Sequence, residues 1–325
     1  MQSLRFHGIG DIRLESLPMP AITGPGQVRL KVLAAGICGS DLHNFRTGQW
    51  VSKLPVTPGH EFAGEVLESS SDNFVPGNIV VADSRVFCGH CPNCLAGRNN
   101  LCATLGFVGE VCDGGFAEQT ILPDTGLLRI PAGIDPLIAA MAEPLAVALH
   151  TINRLAPVKG EKILIAGGGP IGGLIALLLA DSGHGPLLLA EKNPHRAALL
   201  AEVAGTTTVA LDDCGTPRYA VDATGSAAVA ESLLNTIAPG GTIALVGLFH
   251  AKPQLDLNLI VEREIDIRGC SVFAGEMPEA IAMLPRLAEK LCRISAPPIG
   301  LAGLPDAYAS LLRGETTSLK TLIQP

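Results

Sequence analysis

Four cysteines, Cys88, Cys91, Cys94 and Cys102, fall within the fifteen residues of the string CGHCPNCLAGRNNLC. Four thiolates at that spacing can surround one tetrahedral Zn²⁺ at about 2.3 Å, with Gly, Pro and Asn turning the chain between them. A metal held by four sulfurs has no open position, so its role is structural. Two disulfides or buried free thiols are the alternatives. His90, inside the string, reads as a bystander.

A second pattern is a glycine turn. Gly167, Gly169 and Gly172 spell G-x-G-x-x-G after an apolar strand and at the start of a helical pattern, and Glu191 follows 19 residues after Gly172. Glycines let a pyrophosphate approach the backbone at a helix N-terminus, and an acid ending the next strand can accept from ribose hydroxyls. The same acid repels a 2'-phosphate, so NAD is expected over NADP, although Lys192 and Arg196 pull the other way. A glycine turn serving helix packing alone is the plain alternative.

A third set is dispersed: Cys38 in GICGSDLH, His60 and Glu61 in PGHEFAG, and Glu143 in MAEPLAVALH. A thiolate, an imidazole and a carboxylate leave a fourth position open on a metal, as catalytic zinc requires. Spacing alone does not join them, because a buried cysteine and a satisfied histidine are common.

The elements that must position these residues change in style along the chain. Residues 28–32, 62–67, 79–82 and 117–122 read as short strands broken by Gly and Pro. After Pro136, strands alternate with helical patterns, which implies a parallel sheet with crossover helices. Strands are expected at 162–166, 187–191, 207–211, 219–223, 242–246 and 265–269, with helices over 170–182 and from Pro194 to just before Gly205. Asn193 is placed to cap the latter. The segment 211–218 (LDDCGTPR) is too short for a crossover helix and should be an extended link. The tail predicts helices over 278–291 and 306–312 and a last strand at 319–323.

Composition bounds the rest. A chain of 325 residues, 47% hydrophobic and only 17% charged, with mean hydropathy +0.36, has the length of two domains and too much apolar content for disorder. The uncharged run of 18 at 163–180 approaches spanning length, but five glycines and a proline interrupt it, so no membrane span is expected. Net charge −8 argues against nucleic acid or an anionic membrane as partner. Nine cysteines and an N-terminal stretch without an apolar core point to a cytoplasmic chain without a disulfide framework.

GICGSDLH, PGHEFAG, the four-cysteine string, DGGFAEQ, AEPLAVALH, GGGPIG and VDATGS occur in the order found in zinc-dependent medium-chain dehydrogenases/reductases of the alcohol dehydrogenase superfamily. Over nearly its whole length the chain resembles their sorbitol (polyol) and threonine dehydrogenase branch. The resemblance implies an α/β chain: a GroES-like β-barrel catalytic domain (1–135 and 272–325) and a Rossmann doubly wound parallel sheet (136–271), with the active site in the interdomain cleft. It implies two Zn²⁺ per chain, the catalytic one held by Cys38, His60 and Glu61, with Glu143 either coordinating or holding the bound water. It implies Ser40 and His43 as a proton relay. For the nucleotide it marks Gly167, Gly169, Ile171, Gly172, Glu191, Arg196, Val246, Gly247, Leu248, Cys270 and Ser271. A homodimer or homotetramer is implied.

The activity expected is oxidation of a secondary hydroxyl of a small polyol to a ketone with NAD. An L-threonine 3-dehydrogenase-like, sugar-acid or polyol-phosphate enzyme is the near rival. A zinc-stabilised nucleotide-binding protein without turnover is the rival of another class, and Cys38, His60, Ser40 and His43 together speak against it. Arg46 and Trp50 read as a surface residue and a core residue, with a place in the lining of the substrate pocket as the alternative. Cys112, Cys214, Cys292 and the isolated histidines His7, His150, His184, His195 and His250 carry no expected chemistry.

Overall fold

The strand Gln27–Gly36 organises the first part of the chain. Val28, Leu30 and Val32 point into the core while Lys31 faces out, the alternation of a half-buried strand. It pairs antiparallel with Glu61–Ser69, Gln119–Pro123 and Leu322–Ile323, and Ile79–Ala82 and Leu127–Arg129 extend the sheet beyond Glu61–Ser69. Register shifts at Arg29/Leu30 and Val32/Ala34 break the ladder, as bulges do where a strand must bend. Phe62, Val66, Phe116, Leu122, Tyr308 and Ile323 fill the core around it.

The computed structural model describes all 325 residues, in two compact units. Residues 1–143, 277–316 and 320–325 form the first, and 144–276 with 317–319 the second. The divisions fall later than 135/136 and 271/272, because the short helix Pro136–Ala139 packs on the helix Met277–Ile294 and on the Gln27–Gly36 strand, inside the first unit.

The second unit holds a six-stranded parallel sheet in the order Thr207–Thr208, Leu187–Ala190, Ile163–Ala166, Tyr219–Asp222, Thr242–Leu245, Asp266–Gly269. Numbered along the chain this is 3-2-1-4-5-6, the doubly wound order. The apolar run at 163–180 is thus a fully buried strand, the glycine turn and most of the helix Pro170–Asp181. No helix is long and apolar enough to cross a membrane. The third strand is two exposed residues rather than the five expected, because Leu211 enters a 3₁₀ turn, Leu211–Asp213. That turn is the only helical element of the short link, and Cys214 beside it is buried in the core under Leu233 and Leu234.

The tail rejoins the first unit. Met277–Ile294 buries the stripe Ala280, Ile281, Leu284, Leu287 and Leu291, and Leu304–Leu312 buries Tyr308. The last strand is only Leu322–Ile323, paired with Gly36 and Ala35.

Candidate active site

Cys38 lies two residues past the strand Gln27–Gly36 and caps the helix Gly39–Thr47; its backbone N–H donates to Asp41 Oδ2 at 2.8 Å. His60 and Glu61 open the neighbouring strand. Donor atoms of Cys38, His60 and Glu61 all lie within 4.8 Å of one another, and His60 and Glu61 are buried. His60 Nδ1 lies 3.9 Å from Asp41 Oδ1. Burial alone would lower the imidazole, but Cys38, Asp41 and Glu143 around it outweigh this and raise it well above its ordinary value. A cluster that draws positive charge so strongly, with S, N and O donors, fits Zn²⁺.

Glu61 has a partner the sequence did not announce. Lys320, 1% exposed, forms an ion pair with Glu61 Oε2 and donates to the Ile37 carbonyl at 3.0 Å. Gly36 pairs with both Glu61 and Leu322, so the two ladders set Lys320 over Glu61. A Cβ on Gly36 would stand 2.6 Å from Glu61 Oε2 and 2.7 Å from Lys320 Cε, so only glycine admits the pair.

Glu143, at the start of the helix Ala142–Leu155, stands outside the group of three. Its Oε1 accepts from Ser84 Oγ at 2.7 Å, and burial, against the nearby His60, pushes the carboxyl up to about 7. Ser40 and His43 lie three residues apart on the Gly39–Thr47 helix and so share a face. His43 Nε2 bonds Gln49 Oε1 at 2.9 Å, and Trp50 stacks on the ring at 4.3 Å. Trp50 is therefore a 36% exposed cover of His43, not a core residue, because Asn44 Oδ1 holds its backbone N–H in the loop after the helix. Arg46 is exposed.

The four thiols of 88–102 converge, their sulfurs all within 4.8 Å, close to the roughly 3.8 Å edge of a ZnS₄ tetrahedron with about 2.3 Å bonds. All nine cysteines are free. Backbone N–H groups of Cys88, Cys91 and Thr104 point at these sulfurs at 3.3–3.4 Å, as they do at metal-bound thiolates. Such donors bring Cys102 down to about 6, whereas burial and the neighbouring thiols push Cys94 up to about 12. Four thiolates need a cation to coexist there, and the site fits zinc.

In the second unit, Gly169 caps the helix Pro170–Asp181, and a Cβ on it would meet nothing within 4 Å. On Gly172 a Cβ would lie 1.8 Å from the Gly167 carbonyl oxygen, and Gly167 has φ +94°. The turn is therefore tight on the protein side and open at Gly169, a cradle that fits a pyrophosphate. Glu191 Oε2 accepts from Gly168 N at 2.6 Å and Oε1 from Asn193 N at 2.7 Å, so the acid also pins the turn. Asn193 Oδ1 accepts from the Arg196 backbone N–H at 3.3 Å. Ile171 is half-buried on the first helical turn.

Val246, Gly247 and Leu248 follow the fifth strand, where Gly247 and Gly225 cross so closely that a Cβ on Gly247 would lie 2.1 Å from Gly225 N. The buried Asp222 builds that crossing, its Oδ1 accepting from Thr224 N, Thr224 Oγ1 and Gly225 N. In the sequence, the only sign of this role for Asp222 is an acid that ends a buried strand before Thr-Gly in VDATGS. Cys270 N donates to Leu245 O, and burial raises the Cys270 thiol. Ser271 follows it on the surface. His150 is buried, its Nδ1 bonded to Glu276 Oε1 at 2.9 Å.

Residues 24–132 match the family described as alcohol dehydrogenase GroES-like domain, and 170–286 the family described as zinc-binding dehydrogenase. The chain is 33% identical over 283 residues to the L-threonine 3-dehydrogenase of Solibacter usitatus, covering 82% of each. It is 31% identical to the sorbitol dehydrogenase of Bacillus subtilis, covering 100% of this chain and 97% of that one. Among solved structures, a Sinorhizobium meliloti protein described as a zinc-binding dehydrogenase, with NADP bound, superposes with TM-score 0.93 at 30% identity, covering 100% of this chain and 99% of that one.

Proposed function

The chain belongs to the zinc-dependent medium-chain alcohol dehydrogenase family and is an oxidoreductase, and we propose that it oxidises a secondary hydroxyl of a polyol or related small alcohol to a ketone with NAD. The observation that carries this reading is the convergence of Cys38, His60 and Glu61 beside the helix that bears Ser40 and His43. A pure nucleotide binder has no use for that arrangement.

Cys38 and His60 would hold the catalytic zinc, with Glu61 as third donor under restraint from Lys320; Cys88, Cys91, Cys94 and Cys102 would hold the structural one. When bound, the catalytic zinc supplies Lewis acidity toward an alcohol oxygen and the dinucleotide supplies the hydride acceptor. Ser40 Oγ would take the hydroxyl proton and His43 would carry it on, its ring held by Gln49. Glu143, its Oε1 accepting from Ser84 Oγ, would add a further carboxylate beside these ligands. Gly167, Gly169 and Gly172 would seat the pyrophosphate, and Glu191 favours a free ribose 2'-hydroxyl, hence NAD.

L-Threonine is the second candidate substrate, supported by the 33% identical threonine dehydrogenase. Initial rates for polyols, polyol phosphates and L-threonine, each with NAD and NADP, separate the readings; preference for threonine or for NADP overturns the corresponding half. Cys38→Ala should abolish turnover while NAD affinity stays near wild type, and retained turnover would remove the catalytic-metal assignment.

A further inference from the structure

Tyr308, on the helix Leu304–Leu312, is 1% exposed, and its phenolic oxygen is buried with no hydrogen-bond partner. A buried donor left unpaired is rare in folded proteins, because losing water without replacement is costly. Burial, reinforced by the nearby charges of Asp41 and Cys38, holds the phenol well above its ordinary pKa, so the oxygen keeps its proton and needs an acceptor. Rotation of the ring offers no escape. It packs edge-on against Phe45, centroids 5.6 Å apart, inside the first unit's core.

Tyr308 lines a small cavity of about 10 Å³ together with Asp41, Asn44, Pro58 and Gly109. That volume has room for one water and no more. Asp41 has acceptor capacity to spare: Oδ2 takes the Cys38 N–H, and Oδ1 stands 3.9 Å from His60 Nδ1, beyond hydrogen-bonding range. Asn44 also borders the cavity, with Nδ2 donating to Glu110 and Oδ1 accepting from Trp50 N, but Asp41 carries the charge and an unbonded oxygen, which makes it the stronger acceptor.

We propose that this cavity is a built site for one ordered water, which accepts from Tyr308 Oη and donates to the Asp41 carboxylate. Tyr308 is then a positioning residue: through the water it fixes Asp41, which faces the Nδ1 side of His60. The C-terminal helix thereby steadies a metal-ligand histidine more than two hundred residues earlier in the chain. The effect on zinc rests on the catalytic-metal reading above, whereas the water site does not.

The test is a crystal structure of the full-length protein at a resolution that shows ordered water, beside the Tyr308→Phe variant, which keeps the ring and removes the oxygen. A water within hydrogen-bond distance of both Tyr308 Oη and Asp41, lost or displaced in the variant, is expected. A dry cavity, a direct bond from Tyr308 Oη to Asp41, or a metal ion in the cavity overturns the site. In parallel, zinc release to a chromogenic chelator should quicken for the catalytic site by roughly three- to tenfold, below the 10–100-fold typical of removing a direct partner of a ligand. Release from the four-cysteine site should not change. Equal catalytic-site release in wild type and variant overturns the positioning role. Wild-type density decides the water even if the variant misfolds, and failure of the catalytic-metal reading shows separately as zinc confined to the four cysteines.

Discussion

Lys320 and Glu61, 259 residues apart in sequence, form an ion pair in which each side chain is 1% exposed. Glu61 follows the ligand candidate His60, so the pair controls how much negative charge the cluster presents. Removing one member leaves the other buried alone, which costs about 3 kcal/mol. Lys320→Met should lower stability by that order in urea unfolding and disturb zinc content at the catalytic site. Adding Glu61→Gln should recover part of the lost stability; a strictly additive double mutant would show that the pair is not coupled.

The four-cysteine lobe should stand or fall with its metal. Cys94→Ser is expected to lower zinc content by about one equivalent per chain in elemental analysis, with thermal stability falling accordingly. Exposed Arg98, inside the lobe, then becomes a tryptic site. Full zinc content and an uncut chain in the variant would refute a structural zinc.

Two glycines of one turn should respond differently to the same methyl group. On Gly172 it would sit 1.8 Å from the Gly167 oxygen, so Gly172→Ala should impair folding. On Gly169 it meets open space, so Gly169→Ala should leave the melting temperature unchanged yet weaken dinucleotide binding by tenfold or more, as calorimetry would read, if that space is where the pyrophosphate lies. Undiminished binding would place the pyrophosphate elsewhere.

Glu276 gives the second unit an acid-sensitive contact. Burial would raise its carboxyl, but hydrogen bonds from His150 and the Ala274 N–H, and the His150 charge, bring it down to about 2 from the ordinary 4.5. A depressed carboxylate contributes stability that is full above 4.5 and lost as pH falls toward 2. Glu276→Gln should be less stable than wild type near neutrality and converge on it in strong acid. A constant gap across that range would assign the contact a role that does not depend on charge.

Short-range patterns were legible in the sequence. The four cysteines, the glycine turn between strand and helix, the absence of a crossover helix at 211–218 and the Ser40/His43 spacing all follow from residues a few positions apart, where backbone geometry leaves little freedom. The relationships that tune the site were not legible: Lys320 on Glu61, Ser84 on Glu143, Trp50 over His43, and Tyr308 beside Asp41. Lys320 was one cation among 23 until Gly36 paired on one side with Glu61 and on the other with Leu322. A buried charge or hydroxyl takes its meaning from what the closed core places against it. That placement is fixed by strand register and helix packing across the whole chain, so the sequence named the chemistry and the tertiary structure chose the partners.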